Sequence, residues 1–247
     1  MSINHSEIPL HQHFYLGSHR CRSILLMEND GEALPCTADA LALCGDNLKA
    51  RVAELRQSAM GTLPFLLCIS ARLDNDAFAD RLRDLMTLKP DGLILMDARD
   101  RSDGERLDAM LRVEEALVGL PDGQTQFLAI LGLETQGFAG AIALAQSSAR
   151  LIAIGQDSRA VAMAIGAKTT DAAEPVLQTC RSHLQLAAAS AKIPACEILV
   201  SEILGASSNP IEKQVETLVH QGFQTLITDD PYKIAVINAA FEKASGL

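Results

Sequence analysis

The sequence contains no tryptophan, and aromatic residues make up only 4% of its 247 residues. Alanine, leucine and isoleucine must therefore fill most of any core. No apolar run approaches the roughly 20 residues that a membrane-spanning helix needs, and residues 1–13 lack the basic and then apolar layout of a signal peptide. We therefore expect a cytoplasmic protein with no membrane partner.

Positive charge is also scarce, since 21 lysines and arginines stand against 31 acidic residues, for a net charge of -10. A surface of this sign repels phosphate backbones and anionic lipid. We therefore expect no nucleic-acid partner.

The six cysteines include no C-x-x-C pair. In a chain of this size without a secretory signal, such cysteines are normally reduced. We expect free thiols that act as small buried hydrophobic side chains.

Short apolar runs alternate with segments of helical period, which is the pattern of repeated βα units and of a parallel sheet. A chain of 247 residues fits one barrel of about 250 residues. The sequence predicts an α/β fold, a (β/α)₈ TIM barrel over residues 22–247 preceded by an N-terminal arm over 1–21. An open doubly wound sheet is the alternative. The predicted strands are 23–27, 39–44, 64–69, 92–96, 127–133, 151–154, 196–200 and 224–228.

The segments between these strands predict helices, among them a long one over residues 103–120. Its apolar residues Leu107, Met110, Leu111, Val113 and Leu117 are expected to face the core. The first crossover is expected to be shortened, because the acidic loop 28–33 and a following proline leave little room for a helix. The other predicted helices begin near residue 48 and at 74 or 75, or cover 138–145, 171–191, 211–221 and 231–244.

Glycine-rich phosphate-binding loops are missing, because neither G-x-G-x-x-G nor G-x-x-x-x-G-K-[ST] follows any predicted strand. A dinucleotide cofactor is therefore disfavoured.

In a barrel of this kind the active site lies at the mouth, the end at which the last residues of the parallel strands meet. Carboxylates that converge there repel one another unless a cation neutralises them, so a Mg²⁺ site is one hypothesis. The alternative is that acids after strands cap helices, which is the favoured interpretation for Asp46, Asp74, Asp97 and Asp229. Glu134 is harder to explain in this way, because Glu is a poor N-cap. The strand-end candidates are Glu28, Cys44, Asp46, Cys68, Ser70, Asp97, Glu134, Asp157, Ser201, Glu202, Asp229 and Asp230.

Cys44 and Cys68 end neighbouring predicted strands and could face each other across the mouth, as a nucleophile or as a pair of soft metal ligands. No histidine follows any predicted strand to act as a base. We therefore favour buried thiols, and no Ser-His-Asp arrangement can be built.

Three stretches together resemble the HpcH/HpaI aldolase and citrate lyase beta family. Glu134-Thr135 resembles its E-T metal motif, residues 143–155 resemble the stretch that leads to its sixth strand, and residues 221–241 resemble its G-F-x-G-K-x-x-I-H-P-x-Q-I-x-x-I-N-x-x-F ending. The resemblance covers roughly residues 22–243. It implies a TIM barrel that cleaves or forms carbon-carbon bonds in acyl-CoA or 2-oxo-acid substrates with Mg²⁺, often as a symmetric homo-oligomer.

The same resemblance implies Glu134 as one metal ligand. The second is either Asp157 or lost, with Ala160 at its position. Three further positions would contact substrate: Asp46, Cys68 where the family has an arginine, and Ser70 where it has an asparagine.

The cations with which the family holds its substrate are missing from these positions, because Cys68 replaces an arginine and Met96-Asp97 replaces P-K. An arginine from elsewhere, such as Arg72, Arg99 or Arg159, would make catalysis more plausible. Two interpretations remain open: a divergent metal-assisted carbon-carbon lyase with a small-molecule substrate, and a non-catalytic barrel that serves as a structural or regulatory subunit. A third is a barrel whose acidic mouth carries a chemistry different from that of the family and takes a cationic ligand.

Overall fold

The computed structural model describes residues 13–28, 37–199 and 210–246. Its main feature is a closed barrel of eight parallel strands whose order around the barrel follows the chain. This confirms the predicted (β/α)₈ barrel and rules out the open sheet. The strands are β1 (Tyr15–Leu16), β2 (His19–Arg20), β3 (Ser23–Met27), β4 (Ala40–Leu43), β5 (Phe65–Ser70), β6 (Gly92–Met96), β7 (Gln126–Leu131), β8 (Leu151–Asp157), β9 (Ala195–Ile198) and β10 (Thr225–Thr228), of which β3 to β10 form the barrel.

Helices follow the strands on the outside of the barrel. Within the described residues, no helix is both long enough and apolar enough to cross a membrane. The predicted shortened crossover falls largely on residues 29–36, outside the described residues. The helices are α1 (Leu48–Gln57), α2 (Asn75–Thr87), α3 (Arg101–Val118), α4 (Ala141–Ala145), α5 (Ser158–Ala164), α6 (Thr170–Ala191), α7 (Ile211–His220) and α8 (Pro231–Ala244), with a 3₁₀ helix at Thr135–Phe138.

The ends of β7 and β8 at the mouth differ from the prediction by two or three residues. β7 stops at Leu131, two residues before the predicted end, so Glu134 lies in the following loop. β8 continues to Asp157, three residues past the predicted end, because Gln156 and Asp157 pair with β9. In the sequence, the apolar run of β8 ends before Gly155 and the polar residues Gln156 and Asp157, but the backbone pairing with β9 continues through them.

The core has two layers, because successive side chains of a strand point to opposite faces. The inner layer fills the barrel with residues such as Ile24, Leu128 and Ile198. The outer layer packs the other face of the strands against the helices, with Leu67, Leu82 and Leu107 among its members. Both faces of the strands are therefore buried, as expected for a parallel sheet.

A short antiparallel hairpin of β1 and β2 precedes the barrel. Phe14, Leu16 and Cys21 are buried and belong to the inner layer of the barrel. A side chain at Gly92, the first residue of β6, would lie against Leu16, so the hairpin covers the end opposite the mouth. Residues 13–21 of the predicted arm thus pack with the barrel. The predicted boundary between an arm over 1–21 and a barrel domain over 22–247 stays a proposal.

The buried face of α3 differs in part from the prediction. Leu107 and Leu111 are buried as predicted, but Val113 and Leu117 are exposed, at 57% and 68%. Glu115 is buried instead, because it has partners there. Its carboxylate contacts Arg150 Nη1 at 2.8 Å and accepts the backbone N–H groups of residues 123 and 125.

Candidate functional site

Ser70, the last residue of β5, links two neighbouring strand ends at the mouth. Its Oγ donates to Asp97 Oδ2 at 3.3 Å and accepts from the backbone N–H of Arg72 at 3.2 Å. The predicted substrate-binding residue Ser70 therefore joins the residue that follows β6 to the loop that follows β5.

Asp97 has a left-handed backbone conformation, with φ of 57°, which non-glycine residues seldom adopt and which is often found at functional sites. Burial raises the pKa of its carboxyl group, while the Ser70 bond and the charge of Arg72 lower it and the charge of Glu134 raises it further. The capping prediction for Asp97 is wrong, because the N-cap of α3 is Asp100.

Glu134 stands before the 3₁₀ helix and makes no side-chain capping bond. Its half-exposed carboxylate lies 3.9 Å from Arg72 Nη1. Arg72, one of the three arginines named from the sequence, thus enters the mouth from four residues beyond Cys68. The family motif has its arginine at the position of Cys68 and so does not point to Arg72. The position of Arg72 two residues after β5 is the signal that does.

Asp157 ends β8 and is only 8% exposed. Its Oδ1 accepts the backbone N–H of Ala160 at 3.0 Å, so Asp157 also caps α5. Burial raises the pKa of this carboxyl group, the charge of Arg159 lowers it, and the charge of Asp97 raises it. Ala160 lies within α5, so Asp157 is the residue of this pair at the strand end.

Three carboxylates thus share the mouth, since the charge of Asp97 acts on Asp157 and the charge of Glu134 acts on Asp97. Over the described parts of the chain, no three His, Cys, Asp or Glu side chains come together as a metal site. Mg²⁺ is commonly held by one or two carboxylates and several waters. The donor chemistry therefore fits a largely hydrated Mg²⁺ ion and does not fit a cage made only of protein ligands.

Cys44, which directly follows β4, and Cys68, which lies within β5, form a disulfide with their Cα atoms 5.0 Å apart. The expectation of reduced thiols is wrong for this pair. The strands pair Leu43 with Leu67, so the next residue on each strand lies side by side. The disulfide leaves no thiolate for a nucleophile or a soft metal. Cys21, Cys180 and Cys196 are free and buried as predicted, while Cys36 lies outside the described residues.

The remaining strand-end acids are placed as follows. Asp46 is exposed beyond β4, and Asn47, the next residue, stands at the N-cap position of α1 without a side-chain capping bond. Asp74 caps α2 as predicted, by accepting from Ala77 N at 2.9 Å. The prediction for Asp229 is wrong, because Asp230 caps α8. Ser201 and Glu202 lie outside the described residues.

No protein-family model matches the sequence, and no curated protein matches it. Solved structures do match in fold. RipC from Yersinia pestis superposes with a TM-score of 0.67 at 22% identity, over 90% of this chain and 94% of RipC. The citrate lyase beta subunit from M. tuberculosis, complexed with oxaloacetate and magnesium, gives a TM-score of 0.64 at 18% identity, over 92% of this chain and 98% of that subunit.

A third structure, protein CitE from Mycobacterium tuberculosis in complex with magnesium, acetoacetate and coenzyme A, gives a TM-score of 0.64 at 17% identity. It is matched over 90% of this chain and 81% of CitE. At these identities the comparison concerns the fold, and activity must be argued from the site. The chain therefore has the barrel fold of these proteins.

Proposed function

We propose that this chain is a divergent member of the HpcH/HpaI aldolase and citrate lyase beta family, a Mg²⁺-assisted carbon-carbon lyase for a 2-oxo-acid or acyl-CoA type substrate. The observation that carries the proposal is the position of Arg72, whose guanidinium lies 3.9 Å from Glu134 in a mouth that also holds Asp97 and Asp157. The motif resemblance and the magnesium and oxaloacetate of the citrate lyase beta subunit support it.

Arg72 would hold the carboxylate of the substrate. A guanidinium presents its donors in a plane that matches a carboxylate. The side chain of Arg72 is about half exposed, so it is open to a ligand from solvent. Ser70 fixes the backbone of Arg72, while Cys68 lies two residues before Ser70 on β5 and Asp46 lies beyond the neighbouring strand β4.

Glu134 and Asp157 would hold Mg²⁺, which supplies Lewis-acid polarisation of a substrate carbonyl when it is bound. Asp157 would have to share its carboxylate between the cation and the N-cap of α5. Glu134 would exchange its long contact with Arg72 for the metal, which would free the guanidinium for the substrate.

A non-catalytic barrel is the second candidate, and the disulfide favours it. Cys44 and Cys68 occupy strand ends at which the family has an aspartate and an arginine, and their bond closes both positions to substrate chemistry. A barrel of this kind would serve as a structural or regulatory subunit, and we expect 2-oxo acids and acyl-CoA thioesters to leave its melting temperature unchanged.

Calorimetric titration tests the two candidates. The wild type should bind Mg²⁺ in the millimolar range or tighter, and Glu134→Ala should abolish this binding. Arg72→Met should retain Mg²⁺ and lose oxaloacetate. Arg101→Met is the matched control, since Arg101 forms an exposed ion pair with Glu105 on α3 and should bind both ligands as the wild type does.

Two results would reject the lyase proposal. One is no uptake of Mg²⁺ by the wild type at millimolar concentration. The other is an unchanged melting temperature with every 2-oxo acid and acyl-CoA thioester, because a bound ligand stabilises the folded state. The second result would favour the non-catalytic barrel.

A further inference from the structure

The loop between β5 and α2, which carries Arg72, is held by two arginines of the next βα unit. Arg99 Nη2 donates to the carbonyl oxygen of Ala71 at 3.2 Å. Arg106 donates to the same oxygen through Nη2 at 2.7 Å, and through Nη1 to the carbonyl oxygen of Leu73 at 3.1 Å. The carbonyls on both sides of Arg72 are therefore bound by side chains from outside the loop.

Asp103, in the first turn of α3, holds both arginines. Its carboxylate is 2% exposed and accepts from the backbone N–H of Arg99 at 2.9 Å, from its Nε at 3.0 Å and from its Nη2 at 2.7 Å. Arg106 Nη2 lies 3.7 Å from Asp103 Oδ1. We call Asp103, Arg99 and Arg106 the α3 clamp.

The clamp depends on the negative charge of Asp103. Two guanidinium groups that donate to one oxygen repel each other, and a carboxylate beside both offsets this repulsion. Burial lowers the pKa of Arg106, the charge of Asp103 raises it and the charge of Arg99 lowers it. The face of Phe78, 4.2 Å from the Arg106 guanidinium carbon, further fixes this side chain.

We propose that Asp103 is a positioning residue for substrate binding, which acts through Arg99 and Arg106 to fix the backbone from which Arg72 reaches the mouth. The inference rests on the proposed function, in which Arg72 holds the carboxylate of the substrate. Asp103 does not itself contact the substrate. The metal ligands proposed above stand on other strand ends, so the clamp should affect carboxylate affinity and not metal affinity.

The test compares Asp103→Asn with Asp108→Asn, a matched control on the same helix whose carboxylate pairs with Arg150 at 2.8 Å. Calorimetry measures the Kd of pyruvate in saturating Mg²⁺ and the Kd of Mg²⁺ alone, and hydrogen exchange measures the amides of residues 71–74. We expect Asp103→Asn to weaken pyruvate binding about tenfold, as loss of a charged hydrogen bond does. Its Mg²⁺ affinity should not fall, and exchange over residues 71–74 should accelerate. Asp108→Asn should show neither change.

Arg106→Lys is a second variant in case Asp103→Asn does not fold. It keeps the positive charge but cannot bind two carbonyls in a fixed plane, so it should show the same pattern to a smaller extent. Unchanged exchange over residues 71–74, or an equal loss of pyruvate and Mg²⁺ affinity, would overturn the inference. If the wild type does not bind pyruvate, the proposed function fails in this respect, and the exchange comparison alone decides whether Asp103 positions the loop.

Discussion

Asp157 is a capping carboxylate that is nearly completely buried, so its negative charge is held away from water. Burial raises its pKa in the folded protein above the ordinary value of about 3.9. The folded state therefore holds this proton to higher pH than the unfolded state does. The contribution of Asp157 to stability consequently falls as the pH rises from about 4 through the raised pKa.

We predict that Asp157→Asn becomes more stable relative to the wild type as the pH rises. Asparagine caps helices about as well as aspartate, so the bond to Ala160 can be kept while the buried charge is removed. Urea unfolding at about pH 4 and pH 7 measures the difference in free energy of unfolding. The same difference at both values would contradict the prediction. Mg²⁺ binding of the variant should be weakened at pH 7.

For single residues, the sequence indicates which residue types reach the mouth but not what they contact there. Ser70 and Glu134 were found because they follow strands, which depends only on chain order. The disulfide between Cys44 and Cys68 depends on the register of β4 against β5, and no local pattern specifies that register. The role of Arg72 likewise depends on a neighbour in another βα unit.

Helix α3 illustrates the element scale. Its apolar residues at helical spacing offered two adjacent stripes, one with Leu107 and Leu111 and the other with Val113 and Leu117, and both were expected to be buried. Only the first is buried. The turn before β8 supplies Arg150, which also contacts Asp108 and Asp122 and which makes a buried glutamate favourable on this helix.

We predict that Glu115→Ala lowers the free energy of unfolding by about 3 to 5 kcal/mol, because it leaves the buried Arg150 without its closest buried partner. Leu117→Lys is the matched control on the same helix and should change stability by less than about 0.5 kcal/mol, because the side chain is exposed. Denaturation in urea compares the two. A larger loss from Leu117→Lys would show that this face of α3 is covered in solution.

The described chain forms a closed barrel, and the β1–β2 hairpin covers the end of the barrel opposite the mouth. The interior of the barrel therefore contains side chains from residues that precede the first barrel strand. Removal of one of them should destabilise all eight strands together, because each packs on the same inner layer.

We predict that Phe14→Ala lowers the free energy of unfolding by about 3 to 5 kcal/mol, as expected for a large side chain deleted from a packed core. Tyr15→Ala is the control, because the adjacent tyrosine is exposed and should tolerate the change. Thermal unfolding followed by circular dichroism should show one cooperative transition in each variant. A transition of the hairpin alone, with the barrel unaffected, would support a separate N-terminal arm.

The number and order of the βα units, and with them the closed barrel, were determined by the sequence itself. Apolar period is a property of neighbouring residues, and eight repeats of it leave few other topologies. Only the tertiary structure decided which charges meet. Arg72 follows β5, Glu134 follows β7 and Asp157 ends β8, and barrel closure brings them to one mouth. The clamp of Asp103 on the Arg72 loop also depends on two adjacent units. Asp103 and its arginine partners are local neighbours around the start of α3, but the arginines reach the carbonyl oxygens of Ala71 and Leu73 only because β5 and β6 pair.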